Sequence, residues 1–160
     1  MQIHPRSLFL SCIAAVAVSS AAAGTVSVSF ANAAGFADAG ATPWDKGANQ
    51  RALAGHLQVL GQRHLSTDQL LRVEMLDLDL AGTTRLLRHA GHDLRIVRGK
   101  ADVPRISLRY TLEEGGQLLR SGEDSLTDLN YGRGLSHASG ADPLRHEKQM
   151  LDEWFKLRFN

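Results

Sequence analysis

The chain is poor in cysteine: Cys12 is the one thiol in 160 residues, and it sits in an apolar stretch close to the N-terminus. Past that stretch no disulfide and no cysteine-based metal site can form, so stability must come from an ordinary hydrophobic core. Long apolar runs are missing too. The longest, Leu8 to Val18, is about half of the roughly 20 residues that a membrane-spanning helix requires. Neither sign of charge dominates, with 18 Lys+Arg against 17 Asp+Glu. A balanced chain lacks the concentrated basic face that nucleic acid selects, so nucleic acid is not an expected partner. No internal repeat is visible, and nothing marks a second domain.

What is present begins with "MQIHPRSLFLSCIAAVAVSSAAAG", a basic residue at Arg6, an apolar core and a small-residue exit. This pattern predicts a secretory signal peptide over residues 1–23, cut after Ala23, and places the mature protein in the periplasm or outside the cell with no membrane span. Cys12 invites a lipoprotein reading, but only Leu8, Phe9, Leu10 and Ser11 of the apolar run precede it. It reads instead as one more apolar residue of the leader. Cleavage would leave residues 24–160, enough for one domain that buries about two thirds of its unfolded surface. The loss of Arg6 would bring the mature chain to 17 basic and 17 acidic residues.

Along the mature chain, Val26, Val28 and Phe30 alternate with Thr25, Ser27 and Ser29, the pattern of a half-buried strand. The small-residue stretch that follows connects to a helix and carries Phe36 and Trp44 as expected anchors. Thr42 as N-cap, Pro43 at the first helical position and Asp45 in the first turn announce that helix. Leu53, Leu57, Leu60 and His64 recur along one face of it. A strand from about Leu70 to Ala81 comes next, then "TTRLLRHAGHD" as a polar loop, then the strand "DLRIVRG". Strand "RISLRYTLEE" puts Ile106, Leu108, Tyr110 and Leu112 on one face and turns at Gly115-Gly116 into "QLLRSGEDSL". Asp142 and Pro143 precede a last helix whose stripe is Met150, Leu151, Trp154, Phe155 and Leu157. The order β-α-β-β-β-β-α predicts an α+β fold, a mostly antiparallel sheet of about four to five strands with two helices on one face.

The strand "EMLDLDLAGT" holds the first candidate site, Asp77 and Asp79. Residues two apart on a strand point to one side, about 6.6 Å apart, where two charges repel by about 0.6 kcal/mol in water and several-fold more in a drier site. Leu71, Val73 and Met75 share the parity of the two aspartates, whereas Leu76, Leu78 and Leu80 hold the opposite one. A β-bulge near Met75 and Leu76 resolves the conflict. Leu76, Leu78 and Leu80 would then face the helices, with Asp77 and Asp79 outward near Arg105 or Arg109.

As metal ligands the aspartates would need further partners. The histidine cluster His89, His92 and Asp93 is interrupted by Gly91 and completes no zinc signature. "GLSHA", around Ser136 and His137, imitates a nucleophile elbow but lacks the strand and helix that an elbow needs. His146 and Glu147 offer an acid and a base, which capping and surface pairing explain equally well. Charge is spread unevenly: seven basic residues against two acids from Arg85 to Arg109, and five acids against Arg120 from Glu113 to Asp128. Adjacent strands that neutralise each other account for this better than an anion site does.

Four stretches, "DLDLAG" (Asp77 to Gly82), "DVPRISLRY" (Asp102 to Tyr110), "SLTDLNYG" (Ser125 to Gly132) and "HEKQMLDEWF" (His146 to Phe155), together resemble a family of exported bacterial proteins catalogued as domain of unknown function 3016. The resemblance implies a single periplasmic or secreted domain and brings no catalytic residue or cofactor with it. In element order the chain is also similar to small envelope lipoproteins that assist outer-membrane transport machines, an analogy of architecture alone.

The expected function is therefore a non-catalytic binding or accessory module of the cell envelope, with no cofactor and no metal. Its partner would be an envelope protein or a small anionic ligand. The expected binding residues are Asp77, Asp79, Arg105 and Arg109, with Asn130, Tyr131 and Arg133 in a Gly- and Ser-rich loop. The alternative is a metal-dependent or acid-base hydrolase that uses Asp77, Asp79 and a histidine.

Overall fold

The computed structural model of the chain describes residues 24–86, 93–96, 103–129 and 142–159. The expected leader, the cluster at His89 and His92, "GLSHA" and Asn130, Tyr131 and Arg133 lie outside the described residues.

Helix α1 (Pro43–His64) starts where its end groups are satisfied locally. The Thr42 hydroxyl accepts from the Asp45 N–H at 3.1 Å and the Asp45 carboxylate accepts from the Thr42 N–H at 3.1 Å, a reciprocal capping box behind Pro43. Leu53, Leu57 and Leu60 are buried as their spacing predicts. Gly61 continues that face, and a Cβ there would overlap the Val26 side chain, so its smallness lets α1 close on β1 (Thr25–Phe30).

β1 pairs in parallel with β2 (Gln69–Asp79), a pairing that needs a crossover, and α1 is that crossover. β2 pairs antiparallel with β5 (Arg105–Glu114), and β5 with β6 (Gln117–Thr127), so the sheet runs β1-β2-β5-β6. The β5–β6 hairpin turns on Gly115 and Gly116 at φ 56° and 82°, backbone that a two-residue turn of this hand requires at both positions. Val26, Leu71, Val73, Met75, Leu78, Ile106, Leu108, Tyr110 and Leu112 are buried on one side of the sheet, under the two helices. Helix α2 (Arg145–Phe159) contributes Met150, Leu151, Trp154 and Phe155. Trp154 meets Tyr110 edge-on at 5.7 Å, and Phe155 approaches His64 at 5.7 Å.

The α+β architecture is as expected, with three corrections of detail. The stretch read as a polar loop opens with β3 (Thr83–Leu86), which pairs with β4 (Asp93–Ile96) in a two-stranded ribbon separate from the main sheet. The positive φ of Gly82, 81°, turns the chain out of the sheet after Leu80. Trp44, expected as an anchor, is 78% exposed, while Phe36 is buried. Leu157, expected in the apolar stripe of α2, is 82% exposed, because Met150, Leu151, Trp154 and Phe155 already fill the face toward the sheet.

Candidate functional site

The predicted bulge is present: register slips between Met75 and Asp77, leaving Leu76 as the extra residue. Leu78 and Leu80 are buried, but Leu76 is only half-buried, since the bulge residue itself belongs to neither face. Asp77 falls opposite Ser107 and Asp79 opposite Arg105, on the polar side of the sheet.

The local reason for Asp77 lies on the far edge of β2. β1 ends opposite Met75, and the chain returns to β2 only where Asp38 bridges Asp79, with the Asp38 N–H donating to the Leu78 carbonyl at 2.9 Å. Between these points the chain loops out through a short 3-10 turn, Ala33–Gly35. Asp77 Oδ1 fills the gap, accepting from the Ala37 N–H at 3.0 Å and the Leu78 N–H at 2.9 Å. Its chemistry is that of a backbone cap. Among the described residues no group of three or more His, Cys, Asp or Glu side chains is placed to hold a metal ion.

Arg109 is brought into register with Glu74 and Glu123 and donates to both, at 2.9 and 3.1 Å, while Arg72 pairs with Glu113. Serines and threonines fill the rest of this face: Ser27 and Ser29 on β1, Ser107 and Thr111 on β5, Ser121 and Ser125 on β6. The Arg109 end of the basic segment is thus neutralised across strands, but Arg95 sits on the separate β3–β4 ribbon rather than beside β6.

His146 and Glu147 are not surface residues: they are 3% and 0% exposed. Glu147 Oε1 accepts from the Ala81 N–H at 2.7 Å, tying α2 to the point where the chain leaves β2 for the ribbon. Burial holds the His146 imidazole below its ordinary pKa, and Arg145 adds to this. Elsewhere His56 Nε2 lies 2.7 Å from Asp152 Oδ1, joining the two helices.

One concavity among the described residues is absent from the sequence reading. A groove of about 530 Å³ runs between β6 and α2, with Asp124, Leu126, Met150, Glu153, Trp154 and Leu157 among its walls. At its centre Asp124 Oδ2 accepts from Trp154 Nε1 and Arg158 Nε, both at 2.9 Å, and Oδ1 accepts from Arg158 Nη2 at 2.6 Å. The hydrogen bonds from Arg158 hold the Asp124 carboxyl below its usual range, against the opposing effect of burial, with Trp154 contributing. A two-residue hairpin continued in simple register would turn Asp124 to the polar face. A second bulge, between Leu112 and Glu113 on β5 and with Leu119 as the extra residue on β6, sets Asp124 opposite buried Leu108 instead.

No helix among the described residues is long and apolar enough to cross a membrane. No curated protein and no solved structure matches the chain. The family model described as protein of unknown function (DUF3016) matches residues 24–157, most of the chain, and the chain belongs to that family.

Proposed function

We propose that the protein is exported and acts in the bacterial cell envelope as a non-catalytic binding or accessory module. The leader pattern supports export, and the family match starts at Gly24, one residue past the expected cut. The observation that carries the binding reading is the groove of about 530 Å³ beside β6, a strand at the edge of the sheet with β5 as its neighbour. The face around Asp77, Asp79, Arg105 and Arg109 is the weaker candidate. An anion there would have to displace Glu74 and Glu123 from Arg109, and Asp77 is engaged in capping the backbone.

Cell fractionation with N-terminal sequencing tests export, and a photo-crosslinking amino acid in living cells tests binding. Mature protein starting near Gly24 should appear in the periplasm. A crosslinker at Ser125 or Leu157 should give a discrete adduct, and one at exposed Arg51 on α1 should not. An unprocessed cytoplasmic chain would refute export. Metal in the purified protein, with a hydrolase activity lost in Asp77→Asn, would replace the binding reading by the enzymatic one.

A further inference from the structure

We infer that the groove takes an extended peptide segment of another protein, which adds to β6 as a fifth strand of the sheet and presents a lysine or arginine to the carboxylates lining it. This rests on the binding reading above and names the occupant.

Three observations meet at this place. First, β6 is an edge strand of 11 residues, and its order in the sheet leaves one side without a strand neighbour among the described residues. Such an edge offers alternating N–H and C=O groups to an incoming strand. Proteins commonly block long edges with proline or a central bulge. β6 contains no proline, and its bulge lies near one end, so Arg120 to Thr127 pair regularly with Leu112 to Arg105. That regular run spans about 26 Å at about 3.3 Å per residue, enough to dock a strand of ordinary length.

Second, the incoming strand would have an apolar bed. Leu126, Met150 and Trp154 line the groove, and Leu157, at 82% exposure, stands at its margin where α2 has no structural use for it. Leu129, two residues past the end of β6, is 72% exposed as well. Side chains of an added strand alternate between the faces of the sheet, so every second one would rest against α2.

Third, the charge that the described residues place in the groove is one-sided. Asp124, Asp128 and Glu153 supply three carboxylates against the guanidinium of Arg158, which already engages Asp124. An acidic segment would be repelled there and a basic one attracted, which decides the chemistry of the partner. A second copy of this chain fits less well. Two β6 strands brought together would add Asp124, Asp128 and Glu153 of one copy to the same residues of the other.

The test is selection of a random nonapeptide display library on the wild-type protein, with counter-selection on Glu153→Lys/Leu157→Asp. Both substituted side chains are exposed, so the variant should fold, which circular dichroism checks. The expected winners carry apolar residues together with a lysine or arginine at positions of one parity, the side chains that rest against α2, and a labelled winner should bind the variant about tenfold or more weakly. N-methylation of the peptide should abolish binding at alternate residues and leave it intact at those between, because an added strand donates to its neighbour from every second residue. No enrichment over the variant, enrichment of acidic peptides, or equal sensitivity to N-methylation at every residue would overturn the inference. So would sedimentation showing a dimer that the variant abolishes, since the occupant would then be a second copy. A groove crosslink found in cells without any selected peptide would refute the basic-strand occupant and leave the binding reading standing.

Discussion

Replacing Asp77 by alanine removes one oxygen that accepts from two backbone N–H groups, those of Ala37 at 3.0 Å and Leu78 at 2.9 Å. Each such bond contributes about 1 kcal/mol net in a partly exposed setting. The substitution also relieves the repulsion from Asp79, about 0.6 kcal/mol at about 6.6 Å in water. The balance is a loss of about 1 to 1.5 kcal/mol, or about 3 to 5 °C in melting temperature for a domain of this size. Asp77→Asn separates a structural role from a chemical one. Asparagine keeps the accepting oxygen and loses the charge, so its stability should lie within about 0.5 kcal/mol of the wild type. In molar salt, where the Debye length is about 3 Å, the relief from Asp79 disappears and the alanine penalty should grow to about 2 kcal/mol. Urea denaturation of the three proteins at two salt concentrations measures all of this. If asparagine is as damaging as alanine, or if alanine stabilises the protein, Asp77 is not the cap that the geometry makes it.

Gly61→Ala forces a methyl group into the Val26 side chain where α1 meets β1 and should cost about 1 to 3 kcal/mol, read from the urea midpoint; a neutral result would mean that the helix is free to shift. Arg109→Ala removes two exposed ion pairs and should change stability by less than about 1 kcal/mol in the same assay. The pH dependence of stability should fall in two separate windows. A histidine held below 6.5 in the folded state binds fewer protons there than when unfolded, so the contribution of neutral His146 is complete above pH 6.5 and declines as pH falls below it. Asp124, with its carboxyl held below 3.8, contributes fully above that value and is lost only as pH falls through its lower folded value. Denaturation midpoints should fall first as pH drops below 6.5 and again only below 3.8, and His146→Gln should remove the upper step.

How far the fold was legible depended on whether local signals agreed. The cap at Thr42 and Asp45, the leucine spacing of α1 and the alternation in β5 each point one way, and each is where it was expected. The bulge at Leu76 was legible because leucines exchange parity there, and a buried face cannot exchange parity without an extra residue. Of the ribbon only the second strand was legible, within "DLRIVRG", because Thr83–Leu86 is four residues long, too short to show a period. His146 and Glu147 were misread as surface groups. A carboxylate aimed at the Ala81 N–H depends on where α2 docks, and no local pattern contains that. The groove stayed hidden for a similar reason. β6 carries polar residues on both parities, so nothing in it marks which side faces Trp154.

That ambiguity makes Leu119 decisive for the site. With Leu119 as the extra residue, Leu118 pairs with Glu113 and Arg120 with Leu112, so the residues on either side of the bulge already face neighbouring positions on β5. Deleting Leu119 therefore removes the irregularity and leaves every pair from Arg120 to Thr127 in place. Asp124 should still meet Trp154 and Arg158, and the near-ultraviolet circular dichroism of Trp154 should keep its native form. The 51% exposure of Leu119 implies little lost packing, so stability should change by less than about 1 kcal/mol. If the deletion erases the Trp154 signal, the local twist of the bulge, and not the pairing on either side of it, is what brings Asp124 to α2. If the signal persists, the pairs from Arg120 to Thr127 are sufficient for that contact, because the shortened strand meets them in simple register from the turn at Gly115 and Gly116.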